Sequence, residues 1–374
     1  MSVTINGSTG VSLVQDGVIV TADMASSVPL GTKNLIINGA MQISQRATTS
    51  TGITEIGYYT VDRWNNSMLT AGTWTSTQDT DAPDGFGSSL KMQCTTANAS
   101  LSAGSYNNIT TRFEGQNLQY LKKGTIDSKS LTVSFWVKSN KTGTYVAEMQ
   151  DFNNSRINSQ SFTIDTASTW EKKTITYIGD TSGALTNDNN QSLNWKIWLA
   201  AGTTFTSGTL ATSWEAYDNA NRAVGQVNLA DSTDNYINIT GVQLELGSTA
   251  TPFEHRSYGQ ELALCQRYYQ QYGSSGTTTA IGAGVWFSTT QVLALFPFIR
   301  EMRTAPTMTV SGANWCQLYR VGTSSVSNDT TPFDSIGATS ARINNNGVVV
   351  AGVAGQGCFI QIQVGYFAYL NAEL

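Results

Sequence analysis

A single histidine, His255, serves a chain of 374 residues. A Ser-His-Asp or Cys-His catalytic device would have to use it, and no G-x-S-x-G nucleophile elbow accompanies it. The residue is expected instead to hydrogen-bond within the turn Pro252-Phe-Glu-His-Arg256. Charge is scarce as well: 13% of residues are charged and the formal net charge is −5. That leaves no basic footprint, which argues against nucleic-acid binding through a charged face. No apolar run approaches the ~20 residues of a membrane helix. The opening MSVTINGSTG lacks the positive region and apolar core of a signal peptide. Cys94, Cys265, Cys316 and Cys358 are far apart and in no metal-binding spacing, so reduced, mostly buried thiols are expected. No repeat of 20 to 50 residues is visible, which counts against a β-helix or a propeller.

What is present is Gly, Ser, Thr and Asn, with 9 Trp and 15 Tyr. That mixture suits many short strands joined by turns and not a helical bundle. The length exceeds one ordinary core, so two domains with smaller pieces are expected. Residues 1–32 alternate weakly around Gly7, Gly10 and Gly17 and are too few to bury a core alone, so they read as an attachment segment. Residues 33–254 carry strand patterns at Leu90 to Cys94, Leu131 to Val137, Tyr145 to Met149, Ser161 to Ile164, Glu171 to Ile178, Trp195 to Ala200 and Tyr236 to Leu246. In Ser130 to Lys138 the apolar Leu131, Val133, Phe135 and Val137 share one face. No crossover helix separates the strands, so the sheets should be antiparallel and packed as a jelly-roll β-sandwich.

Residues 255–273 read as a short linking helix. Ser257 and Gln260 form a capping box, and Leu262, Cys265, Tyr269 and Tyr272 recur at helical spacing as an oligomer seam. In residues 274–374, a second β-sandwich is expected. Lysine is absent after Lys196, and charge is confined to Arg300, Glu301, Arg303, Arg320, Asp329, Asp334, Arg342 and Glu373. So few charges, beside the apolar runs Val292 to Ile299, Gly347 to Val353 and Cys358 to Leu370, suggest a surface shared with other copies of the chain. Arg300 and Arg303 are expected to form inter-strand or inter-subunit ion pairs.

Three kinds of chemistry are conceivable. Glu55, Asp62, Glu114, Glu148 and Asp151 could supply a glycosidase carboxylate pair, although no spacing singles one out. Asp79, Asp81 and Asp84 gather near Gly85, where a calcium ion could sit, yet no bidentate Glu follows as in an EF-hand. Aromatic rings stack on sugar C–H faces while amides bond hydroxyls. Trp74, Trp214 and Tyr217 lie among polar residues and are the stacking candidates, together with Trp64 beside Asp62 and Arg63.

The segments NLIINGAMQISQR (Asn34 to Arg46), YTVDRW (Tyr59 to Trp64) and GVQLELGSTATPFEHRSYGQELALCQRYY (Gly241 to Tyr269) resemble a group of virion proteins of tailed bacteriophages. FPFIREMRTAPTMTVSG (Phe296 to Gly312) and the final NAEL resemble the same group. These are described as tail fibres or receptor-binding proteins with a carbohydrate-binding-module-like jelly roll. The resemblance implies a non-enzymatic protein of the phage tail, made in the host cytoplasm and joined to other tail proteins through residues 1–32. It further implies a homotrimer that engages host surface glycan, with a structural calcium as the one conceivable cofactor. A scaffold or decoration protein that binds no receptor, or a polysaccharide depolymerase, are the alternatives.

Overall fold

The computed structural model describes residues 33–374, Val321 excepted. The attachment segment expected at residues 1–32 lies outside the described residues. Thirteen strands build the first unit: β1 (Thr49–Ile53), β2 (Gly57–Tyr58), β3 (Asn65–Leu69), β4 (Thr73–Asp79), β5 (Ser89–Thr96), β6 (Tyr106–Glu114), β7 (Leu131–Ser139), β8 (Gly143–Asp151), β9 (Arg156–Ile164), β10 (Glu171–Tyr177), β11 (Gln191–Ala201), β12 (Glu215–Ala216) and β13 (Tyr236–Leu246). They form a six-stranded sheet in the order β1-β4-β5-β13-β7-β10 and a seven-stranded sheet in the order β12-β9-β8-β11-β6-β3-β2. The pairings among these strands are antiparallel, and distant strands such as β5 and β13, or β6 and β11, lie side by side. This is the mainly β, jelly-roll sandwich that the strand patterns predict.

Period-two patterning explains the two layers. Val133, Phe135 and Val137 of β7 and Leu193, Trp195, Ile197 and Leu199 of β11 are buried in one continuous core. Trp195 sits at its centre, 5.5 Å from Phe135 and 6.3 Å from Trp64 between ring centroids. The segment before β1 seals one end. Asn38 donates to the carbonyls of Ile43 (2.8 Å) and Asp62 (2.9 Å), and the Trp64 indole donates to Asn38 O. Gly39 runs so close to β13 that a Cβ there would lie 2.1 Å from Val242 O, which only glycine avoids. The residues that carry the family resemblance are therefore architectural.

A single helical turn, α1 (Thr203–Thr206), follows β11, and α2 (Tyr258–Gln266) follows β13. The capping box of Ser257 and Gln260 is present in α2. The helix stops earlier than its stripe suggests, however. Tyr269 and Tyr272 belong to strand β14 (Tyr269–Gly273), so the four-residue helical seam does not exist. Cys265 is fully buried within the chain, and Leu262 is half-buried. Long-range pairing of Tyr269–Gly273 with Phe367–Asn371 overrides local helix propensity in a run rich in tyrosine, a good strand former.

Nine further strands complete the chain: β15 (Thr279–Trp286), β16 (Val292–Pro297), β17 (Thr307–Val310), β18 (Cys316–Arg320), β19 (Thr323–Val326), β20 (Phe333–Asp334), β21 (Ser340–Asn345), β22 (Gly357–Ile362) and β23 (Phe367–Asn371). A three-stranded sheet, β14-β23-β17, and a seven-stranded sheet, β19-β18-β22-β15-β16-β21-β20, close over a second core around Trp286, Phe296, Trp315 and Ile360. All four cysteines are buried free thiols. Among the described residues no helix is long and apolar enough to cross a membrane.

Buried ion pairs fasten the two cores together. Glu114 of β6 receives two bonds of 2.8 Å from Arg267 and one from the Tyr268 phenol. Burial alone would push the Glu114 carboxyl up, but these donors outweigh it and hold it below the usual range. Arg63 lies 3.5 Å over the Tyr268 ring and pairs with Glu373. Among the described residues of this one chain, Arg303 makes no ion pair. It donates to the main-chain oxygens of Ala372 (2.8 Å) and Asn189 (2.9 Å), tying the second unit to the loop before β11.

Candidate functional site

The outer face of the seven-stranded jelly-roll sheet is polar and organised in rows. Register places Ser67, Asn108 and Trp198 side by side across β3, β6 and β11. The next row runs Asn65, Thr110, Lys196, Glu148 and Ser159 across β3, β6, β11, β8 and β9. A third holds Arg112, Asn194 and Gln150. The Oδ1 atoms of Asn65, Asn108 and Asn194, the Ser159 hydroxyl and Arg112 Nε are buried and have no hydrogen-bond partner among the described residues. Three more asparagines with such atoms, Asn66, Asn107 and Asn158, lie elsewhere in the same sheet. Polar atoms in that condition require ordered water or a ligand's hydroxyl.

The loop between β11 and β13 folds back over this face. It brings Phe205 of α1 against Trp198 in a small second cluster with Val146 and Ala223, and sets Arg222 between the rings of Trp198 and Tyr217. Between these parts lies a cavity of about 280 Å³ lined by Ser67, Tyr106, Asn108, Lys196, Trp198, Phe205, Tyr217, Asn219 and Arg222. Its floor is rigid. The Trp198 ring is fully buried, 5.3 Å from Phe205 and 6.3 Å from Tyr106. The rim is open: Tyr106 is half-buried and Tyr217 is 38% exposed. Rings accessible at the rim beside buried amides are the pairing that sugar recognition uses.

Charge is concentrated beneath the floor. Glu148 accepts from Arg222 at 2.9 and 3.0 Å and from the Trp198 indole at 3.1 Å, and it pairs with Lys196 at 3.3 Å. Lys196 also donates to Gln150 at 2.8 Å. Burial would raise the Glu148 carboxyl, but the Arg222 and Lys196 charges outweigh it and hold it below the usual range. Burial lowers the Lys196 ammonium to about 8, since Glu148 offsets only part of that cost and Arg222 adds to it. Arg222 lies 5.0 Å from the Trp198 ring and 4.8 Å from that of Tyr217, and its Nη1 donates to the Tyr217 hydroxyl.

The four aromatic candidates from sequence separate cleanly. Tyr217 stands in this cavity. Trp74 does not: β4 turns its ring into the core, where it is fully buried and donates to Ala71 O at 2.7 Å. Trp64 is likewise a core residue, 3% exposed. Trp214 is half-buried at the sandwich rim, donating to Ile178 O at 2.8 Å with the Lys123 ammonium 5.2 Å from its ring. Sequence reasoning did not select Tyr106, Asn108, Lys196, Trp198 and Arg222. One signal was available: Trp198 falls with Asn194 and Lys196 on the polar phase of a strand whose other phase is Leu193, Trp195, Ile197 and Leu199.

Asp81 pairs with Lys138 and accepts from the Trp170 indole, Asp79 lies 3.9 Å from Lys91, and Asp84 is exposed. Among the described residues no cluster of three or more His, Cys, Asp or Glu side chains could hold a metal ion. His255 packs its ring 5.3 Å from Phe86 and 4.8 Å from Phe253, an aromatic contact in place of the expected hydrogen bond. The carboxylates considered for catalysis are mostly committed elsewhere: Asp62 to Arg46 and Gln45, Glu114 to Arg267, Glu148 to Arg222, and Asp151 to Lys123. Glu55 is exposed.

A wider groove of about 940 Å³ lies along α2, between Asn34, Tyr120, Arg256, Leu264 and Arg300. There Glu254 accepts the Lys33 and Asn34 amides and Arg256 donates to Ile36 O, so these two charged groups serve the junction.

No protein-family model matches the chain, and no curated protein matches it. Solved structures with a similar part include the enzymatically active domain of tailspike protein 4 from Bacteriophage CBA120. That match has a TM-score of 0.30 and 12% identity over 57% of this chain and 21% of the other. The chain thus spans about a fifth of the tailspike chain. TmCBM61 in complex with β-1,4-galactotriose matches with a TM-score of 0.30 and 8% identity over 57% of this chain and 99% of its own. A family 22 carbohydrate-binding module of Clostridium thermocellum Xyn10B gives 0.28 and 13% over 51% and 91%. At these scores the reading of the site rests on its own geometry.

Proposed function

We propose that this chain is a non-catalytic glycan-binding protein whose site is the cavity over β3, β6 and β11. The observation that carries the reading is the partnerless, buried Asn108 Oδ1 beneath a rim of accessible Tyr106 and Tyr217 rings. A cavity of about 280 Å³ sits at the small end of ligand sites, which fits one or two sugar residues. With Glu148 neutralised from both sides, the cavity offers no free acid for hydrolysis. A glycan array probed with the purified protein tests this. Tyr217→Ala and Tyr106→Ala should each weaken retention about tenfold or more, because base-ring stacking of comparable area contributes ~1–3 kcal/mol. Retention unchanged in both variants would remove the cavity from the account, and release of reducing ends from a retained glycan would remove "non-catalytic".

The larger role we infer is that of a tail fibre or receptor-binding protein of a tailed phage, carried on the virion by residues 1–32 and assembled as a homotrimer. Two features support self-association. The second unit is poor in charge, and the outer face of its seven-stranded sheet exposes Phe359 (46%) and Leu295 (65%) near Val285 and Tyr319. Exposed apolar rows of this kind mark surfaces that another protein covers. Sedimentation should give three copies at micromolar concentration, and Phe359→Arg should shift the population towards single chains. A folded single copy at that concentration would contradict the trimer. Several weak sites joined in one trimer would act with greatly increased avidity.

A further inference from the structure

Building on the glycan reading, we propose that the cavity selects an acidic sugar, one bearing a carboxylate such as a uronic or sialic acid, with Lys196 as its counter-charge. The cavity's ionic count does not close by itself. Glu148 is the single carboxylate in contact with two cations, Lys196 and Arg222, so the three groups together carry one excess positive charge. The other lining residues, Ser67, Tyr106, Asn108, Trp198, Phe205, Tyr217 and Asn219, bring no negative side chain. Buried charge without a counter-charge is costly, and a carboxylate delivered by the ligand would supply the missing one.

Each of the two cations keeps one N–H. Arg222 gives Nε and one Nη2 hydrogen to Glu148 in a two-point clamp and both Nη1 hydrogens to Tyr217 and Asn219, which leaves one on Nη2. Lys196 has Gln150 at 2.8 Å and Glu148 at a looser 3.3 Å. An ammonium donates three hydrogen bonds, so one N–H remains for a ligand oxygen. Asn108, on the neighbouring strand and 3% exposed, belongs to the same lining, and its buried Oδ1 has no partner among the described residues, so a small side-chain turn would offer it to a sugar hydroxyl. An acceptor for hydroxyl and a donor for carboxylate, beneath rings for the C–H face, describe one residue of an acidic sugar. The ammonium's low affinity for its proton agrees: burial and Arg222 disfavour its charge, and a bound anion would restore it.

Titration calorimetry on the full chain decides the matter with matched pairs: oligogalacturonate against oligogalactose, and sialyllactose against lactose. At least one acidic member should bind about tenfold or more tighter than its neutral partner at pH 7, as a charge-assisted hydrogen bond requires. The preference should shrink at 0.5 M salt and vanish in Lys196→Gln, whose folding is checked by denaturation. Neutral partners bound equally well, with dependence on Tyr106 and Tyr217, would overturn the acidic assignment and leave the glycan reading intact. An acidic preference that survives Lys196→Gln would place the counter-charge elsewhere and overturn this site. No binding of any glycan, acidic or neutral, would defeat both readings.

Discussion

Glu148→Gln should destabilise the protein by about 3–5 kcal/mol, the cost of leaving a buried charge without its partner. The substitution keeps the shape and removes the one carboxylate that Arg222, Lys196 and the Trp198 indole share. Two cations would then face each other where the loop meets the sheet, and the loop that carries α1, Tyr217 and Arg222 would lose its anchor. Urea unfolding measures the loss, and intact wild-type stability in the variant would contradict the network. The pH dependence follows with definite sign. The folded Glu148 pKa is depressed, so its stabilisation is present above the ordinary carboxylate value and is lost as pH falls through the folded one. Lys196 acts oppositely. Its folded pKa of about 8 lies below the ordinary 10.5, so the folded state releases a proton first and stability gains as pH rises from about 8 towards 10.5. Both slopes should disappear in variants that lack the respective group.

Trp195→Ala should cost about 3–5 kcal/mol through a cavity at the centre of the jelly roll. Trp195 is fully buried, touches Trp64 and Phe135 with its ring edges and faces, and donates to the Tyr177 hydroxyl at 3.2 Å. Its removal leaves the Tyr177 hydroxyl without that donor and opens space between the two sheets that neither backbone can close. Trp198→Ala, three residues on and on the other face of the same strand, should cost less, because it lies in the smaller cluster under the loop. A comparison of denaturation midpoints separates them. Equal losses would contradict the assignment of one tryptophan to the main core and the other to the cavity floor.

That pair also shows what was legible in the chain. Seven strands of the jelly roll announce themselves as runs of strand-forming residues between turns, most clearly where apolar residues alternate, as in Leu131 to Val137. Strand β6, Tyr106–Glu114, does not: its inward residues include Ile109 and Phe113, and Asn107, Asn108, Thr110 and Thr111 read as turn. The proposed binding face is hidden for the same reason, since a row of buried amides looks like loop in a sequence. Trp74 misled in the opposite direction. Set among Thr, Ser and Gln, it suggests exposure, yet β4 directs it inwards. The capping box at Ser257 was readable because it is local, whereas the end of α2 was not. It is set by Phe367–Asn371, about a hundred residues downstream, which claims Tyr269–Gly273 as a partner. Arg222 and Tyr217 reach the cavity through a loop, and no spacing relates them to Glu148 on β8.

The central claim is that sugar is held over β3, β6 and β11, and a crystal structure of the protein soaked with a glycan retained on an array tests it most directly. The expected result is a sugar ring against Tyr217 or Tyr106, with a hydroxyl on Asn108 Oδ1. Sugar density in the groove along α2, or on the six-stranded sheet, with this cavity filled only by water, would contradict it.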